Sequence, residues 1–391
     1  MIAFDAIGQI CTLSPSKIVL LVIDGLGGLP DPKTGKTELE TAHTPNLDHL
    51  AKRGICGLSD PVSPGITPGS GPGHLALFGY DPFKFTMGRG VLEGLGIGFD
   101  LVDGDIAVRG NFCTVDAKGL ITDRRAGRIS TEKCAELCDL LRQTKLDGIE
   151  LFIKPVREHR FLLVLRGNEL SAEVTDTDPQ KTGVIPDAAV AKKPEAERTA
   201  DIANKFVGTA KGILAQQHLA NMLLLRGFSK LPQIPSMSEI YKLKPAAIAR
   251  YPMYKGLAKL VGMKIYDVDD GIEEELRILA ACYGDHDFFY VHVKEGDSAG
   301  EDGDFQRKVK VIERVDATLP QLLNLKPDVV VVTGDHSTPA MLKGHSWHPV
   351  PVLLHAQWCR PDRVQEFSES ACVSGGLGRI HATDIMPLAM A

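Results

Sequence analysis

Three apolar runs far apart in the chain end in the same kind of turn. "KIVLLVIDG" closes on Asp24, "DHDFFYVHVKEGD" on Asp297, and "PDVVVVTGDH" on Asp335 and His336. Each run is continuously apolar rather than alternating, which is the pattern of a strand buried on both faces. An amphipathic helical stretch, "FQRKVKVIERVDATLPQLLNL", separates the second run from the third, and "HTPNLDHLAKRG" follows the first. In the latter, Thr44 stands at the N-cap, Pro45 at the first helical position and Gly54 at the exit. Strands spaced by helices predict an α/β fold with a mostly parallel sheet flanked by helices. In such a sheet the strand ends lie on one edge, where open α/β sheets bind ligands, so Asp24, Asp297, Asp335 and His336 are expected to converge. His345, in "GHSWHPVPVLL" just before another apolar run, joins the same set.

The chain of 391 residues is longer than one core usually serves. Residues 101–245 differ in texture from the rest, pairing hairpin-like pieces such as "IELFIKPVREHRFLLVLRG" with two helical stretches. The expected organisation is a discontinuous core domain, residues 1–100 and 246–391, carrying a smaller inserted α/β domain on two hinges. A net charge of -6 argues against a nucleic-acid or anionic-membrane partner. The run "IVLLVI" is too short to span a bilayer, and the start of the chain lacks the basic and long apolar regions of a signal peptide. A cytoplasmic protein is expected, and a homo-oligomer stays open. Eight cysteines contain no CxxC pair, so most are expected to be reduced core thiols; Cys134 and Cys138 share one helix face without further soft ligands.

Clustered carboxylates repel unless they are protonated or bridged by cations, and a mixed Asp and His set suits manganese or zinc, with magnesium also fitting. A two-metal site resolves the conflict. Within "TPGSGPGHLALFGYD", Ser70 stands at the start of a helix, where free amides and the positive dipole end favour an anion. The loop has no lysine and is not a P-loop. Taken locally, Ser70 reads first as a helix cap. Metal-ligand candidates on both sides of it in the chain favour a nucleophile, because a cation is one means of activating a serine hydroxyl.

With these motifs go "VIDGLGGLPD", "TPNLDHLA", "GRGVLEGLGIGFDL", "RGNFCTVD", "VTDTDP", "YPMYKGLAKLVGM", "TGDHSTP" and "HSWHPVPVLL". Together they resemble the alkaline phosphatase superfamily and, within it, the archaeal-type cofactor-independent phosphoglycerate mutases, across nearly the whole chain. The resemblance implies an alkaline-phosphatase-like core and a phosphoserine mechanism. Ser70 would accept the phosphoryl group of 3-phosphoglycerate, and the glycerate would reorient and recover it on its 2-hydroxyl. Two divalent ions (Mn2+, Mg2+ or Zn2+) and no 2,3-bisphosphoglycerate are implied. One ion would be held by Asp24, Ser70, Asp335 and His336, the other by Asp297, His345 and a ligand from "DSAGED".

There the chain departs from the family pattern: Glu301 occupies a position where the broader family has histidine. The anionic substrate calls for local cations, and Arg109, Arg124, Arg125 and Arg226 of the insertion, with Lys255 beside its return, are the candidates. Closure of the inserted domain would keep water from the phosphoserine. Two rivals stay open: a metal-dependent phosphohydrolase or other phosphomutase on the same scaffold, and a non-catalytic binder of phosphorylated ligands. "CRPDR" at residues 359–363 resembles the modified-cysteine motif of sulfatases, but Cys359 follows every candidate ligand, the wrong order for a nucleophile.

Overall fold

A computed structural model describes residues 4–391. Its strands are β1 (Ile18–Ile23), β2 (Ile55–Asp60), β3 (Ile106–Val115), β4 (Ile121–Asp123), β5 (Glu150–Arg157), β6 (Arg160–Arg166), β7 (Met222–Ser229), β8 (Pro245–Ala249), β9 (Lys264–Tyr266), β10 (Phe288–Val293), β11 (Val329–Thr333), β12 (Val350–Ala356) and β13 (Gly378–His381). The chain divides into two compact units, residues 1–86 with 234–391, and residues 87–233.

The larger unit is built on an eight-stranded sheet in the order β13-β2-β12-β11-β1-β10-β8-β9. All neighbours pair in parallel except β12, which runs against both β11 and β2. The mostly parallel α/β architecture expected from the apolar runs is therefore present. β1 and β10 are buried at every residue, because helices cover both faces. On one face Val19, Leu21, Ile23, Val291 and Val332 pack with Leu276 and Leu279 of the helix Ile272–Cys282 and with Ile312, Val315 and Leu319 of the helix Phe305–Leu323. On the other, ring contacts of His74, Phe78 and Tyr254 with Tyr290 and His292 seat the helices Ser70–Leu77 and Pro252–Leu260.

The smaller unit is an antiparallel sheet, with β3 paired to β6, β7 and β4, and β6 to β5. Its core takes in Leu137 and Leu141 of the helix Thr131–Leu141 and Phe206, Ala210 and Leu214 of the helix Glu197–Leu214. The boundaries expected at 100/101 and 245/246 fall at 86/87 and 233/234. The helix Arg89–Gly96 accounts for the earlier start: Val91 donates its N–H to Ser229 Oγ at 3.0 Å, and Gly90 lies so close to Ala107 of β3 that an added Cβ would meet its carbonyl oxygen at 2.0 Å. Thr44 and Pro45 open their helix as expected, although Thr44 makes no side-chain cap and the helix ends at Ala51.

Candidate metal centre

Asp24, Asp297, Asp335 and His336 lie just beyond the C-terminal ends of β1, β10 and β11, which run side by side. His345 reaches the same edge for a reason the apolar pattern does not reveal. Because β12 is antiparallel to β11, the chain must return to the ligand edge before entering it. The exit of β12 then lies at the far edge. Cys359 follows it there, with its thiol on the carbonyl of Arg53 at 3.5 Å, away from the ligand edge.

Two groups of metal-ligating atoms form at this edge: Asp24, Asp335 and His336; and Asp297, His336 and His345, each within 4.8 Å. His336 belongs to both. Its Nε2 lies 3.1 Å from Asp335 Oδ2, 3.5 Å from Asp24 Oδ1 and 3.2 Å from Ser70 Oγ. Its Nδ1 faces Asp297 Oδ1 at 4.0 Å. His345 stacks on His336 with ring centroids 3.7 Å apart, and its Nε2 lies 3.4 Å from Asp297. Pro68, from the loop leading to Ser70, fixes the His345 ring through a 3.0 Å contact between its carbonyl and Nδ1. Glu301 stands at the rim, with its side chain 56% exposed and its carboxylate 4.0 Å from His345 Nε2.

Ser70 is the first residue of its helix and Gly69 its cap, so the serine hydroxyl is free of capping and points to His336. Close packing of that helix on the ligand edge requires glycine: a Cβ on Gly73 would meet the carbonyl oxygen of Asp335 at 2.4 Å. His74 faces the same edge, its Nδ1 2.8 Å from the Ser70 carbonyl and 3.2 Å from Asp335 Oδ2.

Three buried carboxylates share this space with one ammonium, that of Lys294, which contacts Asp297 Oδ2 and lies 3.1 Å from Asp24 Oδ2. Burial would push Asp24 up, but Lys294 and then His292 hold it well below the usual carboxylate range. Asp335 has no such ammonium, so burial and the charge of Asp24 push it up to about 7. Burial alone would lower His345; its bond to Asp297 holds it up to about 9. Both oxygens of Asp24 and Oδ2 of Asp335 are buried, with Lys294, His336 and His74 nearby but no well-aligned hydrogen bond. Buried acceptors rarely remain so. Oxygen and imidazole donors this close, short of donors and in excess negative charge, fit divalent cations.

Several of these residues are not evident from the sequence motifs. Lys294 and His292 sit inside the "VHVKEGD" run, and Thr338 closes "GDHST". The Thr338 hydroxyl donates to Asp297 Oδ1 at 2.6 Å and lies 3.0 Å from His336 Nδ1, touching both groups. The one available signal is polarity within a buried strand, since His292 interrupts an otherwise apolar, fully buried β10.

The candidate cations divide. Arg109 on β3 pairs with Glu93 and lies in register with Arg226 of β7. Arg226 also faces Asp176 and Asp178, at 3.6 and 3.5 Å. Arg124 is held by both oxygens of Asp178, at 2.9 and 2.7 Å. The backbone N–H of Arg125 is held by Asp123 at 2.8 Å. Lys255 pairs with Asp267 at 2.8 Å.

An α/β sheet with acidic and imidazole side chains gathered around a serine at a helix N-terminus is an arrangement suited to phosphoryl transfer. Residues 51–220 match the family model described as 2,3-bisphosphoglycerate-independent phosphoglycerate mutase. The chain is 50% identical to a probable 2,3-bisphosphoglycerate-independent phosphoglycerate mutase of Thermus thermophilus, over 99% of this chain and 97% of that one. It is also 50% identical to a protein of the same description from Aquifex aeolicus, with the same coverage. Among solved structures, the cofactor-independent phosphoglycerate mutase of Thermoplasma acidophilum superposes with a TM-score of 0.76 at 33% identity, covering 96% of this chain and 99% of that one. The chain belongs to the family of 2,3-bisphosphoglycerate-independent phosphoglycerate mutases, isomerases that interconvert 3- and 2-phosphoglycerate.

Proposed function

We propose that this mutase works through a phosphoserine at Ser70, with two divalent ions held at the edge where β1, β10 and β11 end. The observation that carries the reading is the position of the Ser70 hydroxyl, 3.2 Å from an imidazole that belongs to both groups of ligands. Asp24, Asp335 and His336 would hold one ion with Ser70, and Asp297 and His345 the other, with Glu301 at its open side. Such ions supply charge stabilisation to the transferring phosphoryl group and favour the ionised hydroxyl of the serine.

The chain's own groups do the rest. Ser70 Oγ bonds to phosphorus as the bond from phosphorus to the 3-oxygen breaks. The departing 3-oxygen takes up the proton given up by the serine; the glycerate stays, its 2-hydroxyl loses a proton as it bonds to the same phosphorus, and the serine oxygen leaves and is protonated again. Lys294, set between Asp24 and Asp297, adds a fixed positive charge beside the transferring oxygens. In the smaller unit Arg109 and Arg226, cross-strand neighbours, are the guanidiniums we assign to the anionic groups of the substrate, because they lie side by side. Glu301, half exposed beside His345, would be the carboxylate available to the second ion in place of the imidazole of the broader family.

The test is turnover of 3-phosphoglycerate, with 2-phosphoglycerate and free phosphate measured together, in wild type and Ser70→Ala. The reading predicts 2-phosphoglycerate as the product and a loss of several orders of magnitude in the variant. Free phosphate as the main product, or a variant within tenfold of wild type, would overturn it.

A further inference from the structure

The helix Phe305–Leu323 carries a charge where its apolar stripe should be. Lys308 falls one turn before Ile312, in line with Ile312, Val315 and Leu319, and its side chain is wholly buried. Two of its three N–H groups bond to loop carbonyls and a carboxylate lies near. Nζ donates to the carbonyl of Gly27 and to that of Thr338, both at 2.9 Å, and lies 3.9 Å from Glu38 Oε1. Gly27 follows Asp24 on the loop after β1; Thr338 follows Asp335 and His336 on the loop after β11. The two loops are already interlocked, since the Thr338 N–H donates to the Gly27 carbonyl at 3.0 Å and a Cβ on Gly27 would strike the Ser337 hydroxyl at 1.9 Å. Two carboxylates complete the arrangement, Glu38 buried and Glu369 half-buried. Glu38 accepts the Ala340 N–H at 2.8 Å, and Glu369 accepts the Gly28 N–H at 2.9 Å.

Burying an ammonium carries a desolvation penalty that an apolar side chain of similar shape avoids. Burial also pulls this ammonium below its ordinary range, against the opposing charges of Glu38 and Glu369. A stem with a methyl end would fill the space on the stripe, so packing does not account for the charge. What the ammonium uniquely does is hold two loop carbonyls at a fixed separation.

We infer that Lys308 is a positioning residue that clamps the loop bearing Asp24 to the loop bearing Asp335 and His336, and that Thr338 passes this constraint to both ligand groups. Thr338 is the link because its carbonyl takes the ammonium, while its hydroxyl orients Asp297 and touches His336. Groups that orient metal ligands typically contribute about ten- to a hundredfold to affinity. The inference rests on the proposed metal centre.

The experiment is calorimetric titration of Mn2+ into metal-stripped full-length wild type, Lys308→Met and Thr338→Val, beside thermal unfolding of each metal-free protein. Both variants should bind Mn2+ about ten- to a hundredfold more weakly, and the double variant little more weakly than either alone, because the two residues act in series. A role confined to stability would lower the unfolding temperature and leave the affinity of the folded protein unchanged. A folded variant of either kind with wild-type affinity overturns the clamp. If Lys308→Met does not fold, the affinity of Thr338→Val decides. Wild type that binds no Mn2+ overturns the metal centre itself, a distinct result.

Discussion

Replacing Lys294 with methionine removes the one ammonium among Asp24, Asp297 and Asp335, and its effect should depend on whether divalent ions are present. Nζ stands 3.1 Å from Asp24 Oδ2 and also contacts Asp297. At that distance the attraction to Asp24 alone is about 5 kcal/mol with an effective dielectric of about 20. Part of it is offset by the cost of drying the ammonium, and removing one partner of a buried pair usually destabilises by about 3–5 kcal/mol. For a folded unit of this size, that corresponds to a fall of roughly 10 °C in the midpoint of metal-free unfolding. With Mn2+ bound, the same carboxylates face cations, and those cations repel Lys294. The substitution should then cost little or nothing in stability. The assay is thermal unfolding of both proteins in EDTA and in saturating Mn2+. Equal losses in the two conditions would refute the reasoning, since they would show that Lys294 and the ions do not act on the same charges.

Gly73→Ala should cost both stability and activity, because its Cβ would meet the Asp335 carbonyl at 2.4 Å and push the Ser70 helix off the ligand edge; unfolding curves and turnover at saturating Mn2+ check this. Glu275, buried in the helix Ile272–Cys282, has its carboxyl held up to about 9 by burial and by Glu295, against Arg250 and Arg314. The folded state therefore keeps a proton that the unfolded chain has released above about 4.5. The stability this group confers is full below that pH and is lost as pH rises toward 9. Glu275→Gln should match wild type near pH 5 and exceed it by a few kcal/mol near pH 8 in urea unfolding; parallel pH profiles would contradict it. Stripping with EDTA should abolish turnover and Mn2+ should restore it, while full activity in excess chelator would argue against the ions.

The sheet was legible because its buried strands are short, continuous apolar runs, and Asp24, Asp297, Asp335 and His336 were legible because they stop those runs. Strand direction was not. Nothing in "PVPVLL" distinguishes a parallel from an antiparallel strand, yet the direction of β12 is what returns His345 to the ligand edge. The start of the smaller unit was missed for a similar reason: the helix Arg89–Gly96 is glycine-rich and reads as a continuation of the core, and only its packing against β3 and β7 assigns it elsewhere. Lys255 has a partner the sequence does not reveal, Asp267, twelve residues on. Lys308 did leave a trace, a lysine on the apolar stripe of its helix, but the two carbonyls it joins lie 281 and 30 residues away in sequence.

The central claim is that the hydroxyl of Ser70 carries the phosphoryl group between the two positions of glycerate. Rapid mixing of the Mn2+-loaded enzyme with 3-phosphoglycerate, acid quenching, and mass spectrometry of the peptide containing residues 67–81 tests it most directly. The account predicts that this peptide gains one phosphoryl group, located on Ser70, within a single turnover. Isomerisation at full rate with Ser70 unmodified throughout, or the phosphoryl group found on another residue, would contradict it.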